Sequence, residues 1–394
     1  MTGTRPTEAP VPATDRRAGE SAARLSDAIA EAATTANEDL QERDRSGTFS
    51  EVAWARCARA GLLGLTVPVK YGGLGLGVLR AMEALEHFGR VCEDAGLVFA
   101  VNSVLWSCTM PILWFGERRQ RDAWLPALCD GSVIAGNAIT EPGAGSDVFA
   151  LSCEARHAGD RYVVSGSKTL ISNAPVADVF LVYARTSDNC GPFGISVFLI
   201  DADASGVTRG PALVTMGLRT ATIGAVEFRD CAVAESQMLG EPGSGAAIFT
   251  RAITWERACV LATAVGAMER QLERAVARAN ERRQFGGPIG RFQTIREKLA
   301  DMRVRADASR LLLRRWAKAQ DAGHDEPVWA SIAKLFTSES LIESSMSAGE
   351  IFGGCGYVDD HPAERELRDA LASRVYAGTS AIQREIIARA IGLP

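Results

Sequence analysis

A single acid stands in the middle of a nearly apolar run. The stretch "AAIFTRAITWERACVLATAVGAM", Ala246 to Met268, carries only three charges: Arg251, Glu256 and Arg257. Read as one helix, it places Ala252, Ile253, Cys259 and Val260 three or four residues from Glu256, all apolar. A carboxylate on such a stripe is costly unless it is paired or put to use. Burial of that kind raises a carboxyl pKa toward the range a general base needs near neutrality. Glu256 could therefore remove a weakly acidic proton. The structural alternative is an ion pair with an arginine from another helix. Arg257 is itself a poor partner, because adjacent residues point about 100° apart on a helix. Other acids compete less well: Glu141 lies within a turn, Asp147 is expected to organise that turn, and Asp369 sits in a helix.

That turn is "AITEPGAGSD", Ala138 to Asp147. Small residues there let backbone N–H groups approach a ligand, with hydroxyls as further donors, although a plain tight turn would read the same way. "YGGLGLG", Tyr71 to Gly77, lacks GxGxxG spacing and a strand-then-helix frame, so it reads as a turn. Cys153 and His157 are four apart with no second ligand pair, and no metal site is expected.

The elements that must position these residues fall into three blocks. Residues 1–20, rich in Pro, Thr and charge, read as a disordered tail. Residues 21–136 show helical periodicity in "SAARLSDAIAEAATTANEDLQERD" and "LRAMEALEHFGRVCEDAG". Residues 137–240 turn to short β-branched and aromatic runs such as "DVFLVYAR" and "FGISVFLID". Residues 241–394 are helical again. The fold class is mainly α with a central β domain. Charges inside the 246–268 run argue against a membrane span and for a core helix.

Composition sets the outer limits. The 394 residues carry a net charge of −5 and are 47% hydrophobic, a soluble composition with no basic excess for nucleic acid. Nine scattered cysteines without a CxxC pair suggest free thiols in a reducing compartment, and a cytoplasmic location is expected.

Six segments in order then carry a resemblance. "AITEPGAGSD", "GSKTLISNA" (Gly166 to Ala174), "MGLRTATIGAVEFRDCAV" (Met216 to Val233), "RRQFGGPIGRFQ" (Arg282 to Gln293), "EIFGGCGY" (Glu350 to Tyr357) and "RDALASRVYAGTSAIQR" (Arg368 to Arg384) together resemble the acyl-CoA dehydrogenase family of flavoproteins. The resemblance implies an N-terminal helical domain, a β-barrel-like middle domain and a C-terminal four-helix bundle. FAD would lie between the last two, in a homotetramer or dimer. Thr140 and Ser172 match hydroxyls that bond the flavin ring, and Thr379 a cofactor contact beside the substrate. Arg282 and Phe285 match a pair that reaches FAD in a neighbouring subunit, and Gly353 and Gly354 match close-approach glycines there. Ser146 matches a position near the CoA part of the substrate, and Arg257 one close to the substrate.

The departures are informative. Leu170 stands where a flavin-packing Trp is usual, and Glu350 replaces a Gln near the neighbour's cofactor. Ala377 occupies the position that is a catalytic Glu in many members. Its backbone N–H remains able to polarise the thioester carbonyl, and Glu256 matches the relocated base of the isovaleryl- and long-chain-type enzymes. The implied reaction is α,β-dehydrogenation of an acyl thioester, on CoA or an acyl carrier protein. Glu256 would take the α proton and flavin N5 the β hydride, with electrons passing to an electron-transfer flavoprotein. Alternatives are an oxidase or monooxygenase on the same fold, or a non-catalytic flavin-binding relative. Trp255, beside the base, is expected to shorten the acyl pocket.

Overall fold

Apolar residues at helical spacing build the first domain. The computed structural model describes residues 13–187 and 191–393. The first helix, α1 (Ala13–Asn37), begins inside the stretch expected to be a tail, while residues 1–12 lie outside those described. It is followed by α2 (Leu40–Ser46), α3 (Glu51–Arg59), α4 (Val78–Val91), α5 (Ala95–Asn102), a π-helical stretch (Ser103–Thr109), α6 (Met110–Phe115) and α7 (Arg118–Asp130). In α4 the buried side is Val78, Ala81, Met82, Leu85, Phe88 and Gly89, the stripe a core-facing helix needs. The Asp321 carboxylate, from the far end of the chain, accepts the Val78 and Leu79 N–H groups at 2.6 and 3.0 Å and so caps α4. Ala95–Phe115 is long and apolar enough to cross a membrane, but it is the central helix of the core: 94% of its most apolar window is buried inside the protein.

The middle domain holds β1 (Ala135–Ala138), β2 (Glu154–Ala158), β3 (Arg161–Ser172), β4 (Val179–Arg185), β5 (Ile195–Asp201), β6 (Val207–Arg209), β7 (Ile223–Ala234) and β8 (Met238–Leu239). The sheet runs β6-β7-β3-β2-β4-β5-β8, with β1 parallel to β4. Its two halves meet through one pairing, Glu154 with Arg185, and fold around a second core of Val164, Phe180, Val182, Phe198 and Phe228. The β3–β7 ladder slips between Lys168 and Ile171, so Leu170 bulges out.

The last domain comprises α8 (Gly245–Cys259), α9 (Ala262–Glu281), a hairpin of β9 (Arg283–Gln284) and β10 (Gly287–Pro288), then α10 (Gln293–Asp321), α11 (Pro327–Phe352), α12 (Pro362–Leu371) and α13 (Ser380–Ala390). The run expected as one helix from Ala246 to Met268 is thus two. The Thr263 hydroxyl donates to the Val260 carbonyl at 2.7 Å, satisfying a group that the broken helical ladder leaves free. Where α4 crosses α9, Gly89 and Gly266 face each other. A Cβ on Gly89 would lie 2.0 Å from the Thr263 carbonyl oxygen, and one on Gly266 2.0 Å from that of Glu86. The first and last domains are therefore in backbone contact and share one hydrophobic core.

Candidate functional site

Glu256 lies on the side of α8 that also carries Phe249, two turns before it, and the C-cap Val260, one turn after it. Phe249 packs edge-on against Phe149 and Tyr183 of the middle domain, with centroids 5.9 and 6.3 Å away. That face of α8 thus looks across the interdomain cleft. Burial pushes the Glu256 carboxyl up from its ordinary value, against a smaller opposing pull from a Ser107 hydrogen bond and the Arg257 charge. The acid bears on Cys108, Tyr183 and Tyr376, whose thiol and phenols are all pushed up by burial first and by Glu256 second or third. Helix, strand and C-terminal loop therefore converge on this carboxylate.

Arg257 is not its ion-pair partner. Its Nε donates to the Ala377 carbonyl at 3.4 Å, and burial lowers the guanidinium to about 10 despite Glu256. The two residues expected at the reaction centre are thus joined through this loop. Ala377 is buried and left-handed at φ 53°, where a side chain is strained, and Gly378 follows at φ 87°. Neither N–H has an intramolecular partner among the described residues. Thr379 caps α13, its hydroxyl accepting the Ile382 N–H at 3.2 Å. Tyr376, which feels the Glu256 charge, packs on Phe99 of α5 with ring centroids 4.9 Å apart. The Trp255 ring is held in a cluster with Trp106, Trp114 and Trp316, at 6.2, 4.9 and 5.8 Å.

The middle domain supplies a second wall. Thr140 and Ser172 are half-buried, and their hydroxyls have no intramolecular partner among the described residues. The Thr140 carbonyl accepts the Thr169 N–H at 2.9 Å, so the two segments run side by side. Leu170 between them is left-handed, at φ 55°, and 59% exposed. The turn is organised by Glu141 rather than by Asp147, whose side chain makes no cap. Buried Glu141 accepts the Ser152 N–H and hydroxyl, both at 2.6 Å, and the Cys153 N–H at 2.9 Å. It also pairs with the fully buried Lys168 ammonium at 2.8 Å. These bonds hold its carboxyl low against burial. The turn thereby presents Ser146 exposed to solvent.

Farther off lie the residues expected to serve a neighbouring subunit. Arg282 ends α9, and Phe285 tips the β9–β10 hairpin, 87% exposed. Gly353, at φ 64°, and Gly354 follow α11, and nothing lies within 4 Å of where a Cβ would project from either. Glu350 is paired with Lys298. Free hydroxyls beside an exposed Leu170 and open backbone at Gly353 and Gly354 fit a long cofactor with a flat polar ring and an extended tail.

Sequence reasoning missed Ser107, Phe99 and Tyr376. Ser107 and Phe99 sit in the apolar α5–α6 segment, where only a helical register over Glu256 could have marked them. Tyr376 lies inside a quoted motif but passed unremarked beside Ala377.

Profiles for the N-terminal, middle and C-terminal domains of acyl-CoA dehydrogenases match residues 20–132, 136–231 and 243–392. The chain is 41% identical over 351 residues, 89% of its length and 92% of the relative's, to an L-prolyl-[peptidyl-carrier protein] dehydrogenase of Pseudomonas fluorescens. It superposes on the crystal structure of the prolyl acyl carrier protein oxidase AnaB with TM-score 0.92 and 38% identity, covering 95% of this chain and 99% of that one. On PigA with FAD and proline the TM-score is 0.92 at 32% identity, covering 98% and 100%. With three domain profiles matched in order along the chain, it belongs to the acyl-CoA dehydrogenase family of FAD-dependent acyl-thioester dehydrogenases.

Proposed function

We propose that the substrate is a prolyl thioester on the phosphopantetheine arm of a carrier protein, and that Glu256 removes its α proton. The observation that supports the base assignment is the convergence of Ser107 and Tyr376, the residue before Ala377, on one carboxylate raised by burial. A raised carboxylate is basic enough to take an α proton that the thioester has acidified. FAD, bound against Thr140, Ser172 and Thr379, supplies the acceptor for the β hydride. The chain's own groups do the rest. Ala377 N–H polarises the thioester carbonyl, and the Phe99–Tyr376 stack limits the acyl group to a compact ring. Similarity to carrier-bound prolyl dehydrogenases supports the substrate class over a fatty acyl-CoA.

The direct test is anaerobic mixing of the FAD-loaded enzyme with prolyl-loaded carrier protein, prolyl-pantetheine and butyryl-CoA. Bleaching of the flavin with loss of two hydrogens from the prolyl thioester is expected. Bleaching by butyryl-CoA alone overturns the substrate assignment. Electrons then pass to an electron-transfer flavoprotein. Oxygen as acceptor is a second reading, favoured by the exposed Leu170 and by the likeness to an enzyme described as an oxidase. Rapid reoxidation of the reduced enzyme by air, in the presence of product, selects it. We also place the enzyme in a homotetramer or dimer, in which Arg282, Phe285, Gly353 and Gly354 reach the neighbour's cofactor.

A further inference from the structure

Catalysis in this chain leans on a backbone N–H at residue 377, and a backbone group cannot be aimed by choosing a rotamer. Its direction is set by how firmly the surrounding loop is held. The loop from Ser373 to Ser380 is held by cationic or amide groups from three different helices, two of them fully buried and one half-buried. Lys334 of α11, fully buried, donates to the Ser373 carbonyl at 2.9 Å. Arg257 of α8 donates to the Ala377 carbonyl. Gln383 of α13, also fully buried, donates through Nε2 to the Ala377 carbonyl at 3.3 Å and the Gly378 carbonyl at 3.0 Å. Gln383 Oε1 has no partner among the described residues, where its amide serves those two carbonyls alone. A side chain at Gly378 would strike Gln383 Nε2 at 2.9 Å.

We propose that Lys334 and Gln383, with Arg257, are positioning residues that pull the loop carbonyls inward and thereby present the Ala377 N–H to the thioester oxygen. A trans peptide unit points its C=O and N–H in opposite directions. The donors hold the 377–378 and 378–379 peptide units directly; the Ala377 N–H belongs to the preceding unit and is aimed indirectly, because it hangs on the anchored Ala377 Cα at the fixed left-handed φ of 53°. Among the described residues Lys334 has no carboxylate within hydrogen-bonding reach. Burial and the Arg257 charge lower its ammonium to about 8, a cost for which the Ser373 carbonyl is its only hydrogen-bonded return among the described residues. Fold stability alone would be served as well by an apolar side chain there.

The inference rests on the acyl-thioester reading, and the test separates the two. The probe is the pantetheine thioester of pyrrole-2-carboxylic acid, labelled with 13C at its carbonyl and bound to FAD-loaded enzyme. In the wild type the carbonyl stretch moves to lower frequency than in solution. In Gln383→Met and Lys334→Met it moves back toward the solution value, and the rate constant for flavin reduction falls roughly tenfold to hundredfold. KM and FAD content change little, and Lys334→Arg, which keeps a donor, recovers most of the shift. Wild-type carbonyl frequencies in both Met variants overturn the proposal. Gln383→Met removes no charge and decides the matter alone if Lys334→Met does not fold. Absence of any shift or flavin reduction in the wild type sinks the thioester reading instead.

Discussion

At the residue scale the proposed mechanism turns on Glu256 of α8, with Ala377 in the C-terminal loop. Burial raises that carboxyl, so as the proposed base it is ionised only above the ordinary carboxylate range. Flavin reduction should therefore climb with pH through the raised value and level off above it. Stability runs the other way. A group whose folded pKa exceeds its unfolded one contributes most below the unfolded value, and that contribution is lost as pH rises through the folded value. Glu256→Gln is thus expected to slow flavin reduction by about 10²- to 10⁴-fold, while melting no lower than wild type at pH 8. Stopped-flow absorbance and calorimetry check the two halves. A variant that keeps wild-type reduction rates removes Glu256 from the mechanism. This much was legible in the sequence, because an acid ringed by Ala252, Ile253, Cys259 and Val260 has few bland explanations. The Arg257 bond to the Ala377 carbonyl was not legible, since it joins residues 120 apart in the chain.

At the element scale, texture alone revealed three blocks, because strands and helices differ in the period of their apolar residues. It did not reveal the break between α8 and α9. Val260 and Leu261 suit a helix by type, and only the Thr263 hydroxyl on the Val260 carbonyl marks the interruption. Nor did it show which aromatic faces the substrate. Trp255 is the natural choice from adjacency; its ring packs into the tryptophan cluster, and the proposed acyl site takes its boundary from Phe99 of α5, paired with Tyr376. Behind Phe99 and Tyr376 lies a cavity whose walls include Cys92, Val260, Ala264 and Leu341. Phe99→Ala should open the reaction site into that space. The expected result is a higher kcat/KM for hexanoyl- over prolyl-pantetheine by at least about tenfold, set against a loss of roughly 3 kcal/mol or more in folding stability. An unchanged preference in a folded variant would mean that the stack does not bound the acyl site.

At the scale of the whole molecule, α8, β3 and the C-terminal loop carry one set of the residues proposed for the flavin chemistry, and the other expected contacts point outward. The β9–β10 hairpin closes through Phe285 and Gly286, both left-handed at φ 48° and 81°, a two-residue turn that ordinarily takes Asn, Asp or Gly at its first position. A strained aromatic, 87% exposed, is costly in a monomer and sensible only if something covers it. Tyr357 and Val358, 92% and 52% exposed beyond Gly353 and Gly354, extend the same demand. The motif was readable as a string, but its orientation away from its own cleft required the turn geometry. If a second copy covers these side chains, the native mass is a multiple of 42.0 kDa. Phe285→Asp then lowers both that mass and the FAD retained through gel filtration. The control Val52→Asp, on an exposed site of α3, changes neither. Light scattering reads the mass and absorbance the cofactor. A Phe285→Asp protein of unaltered mass and full FAD content would show that the hairpin serves neither assembly nor the neighbour's cofactor.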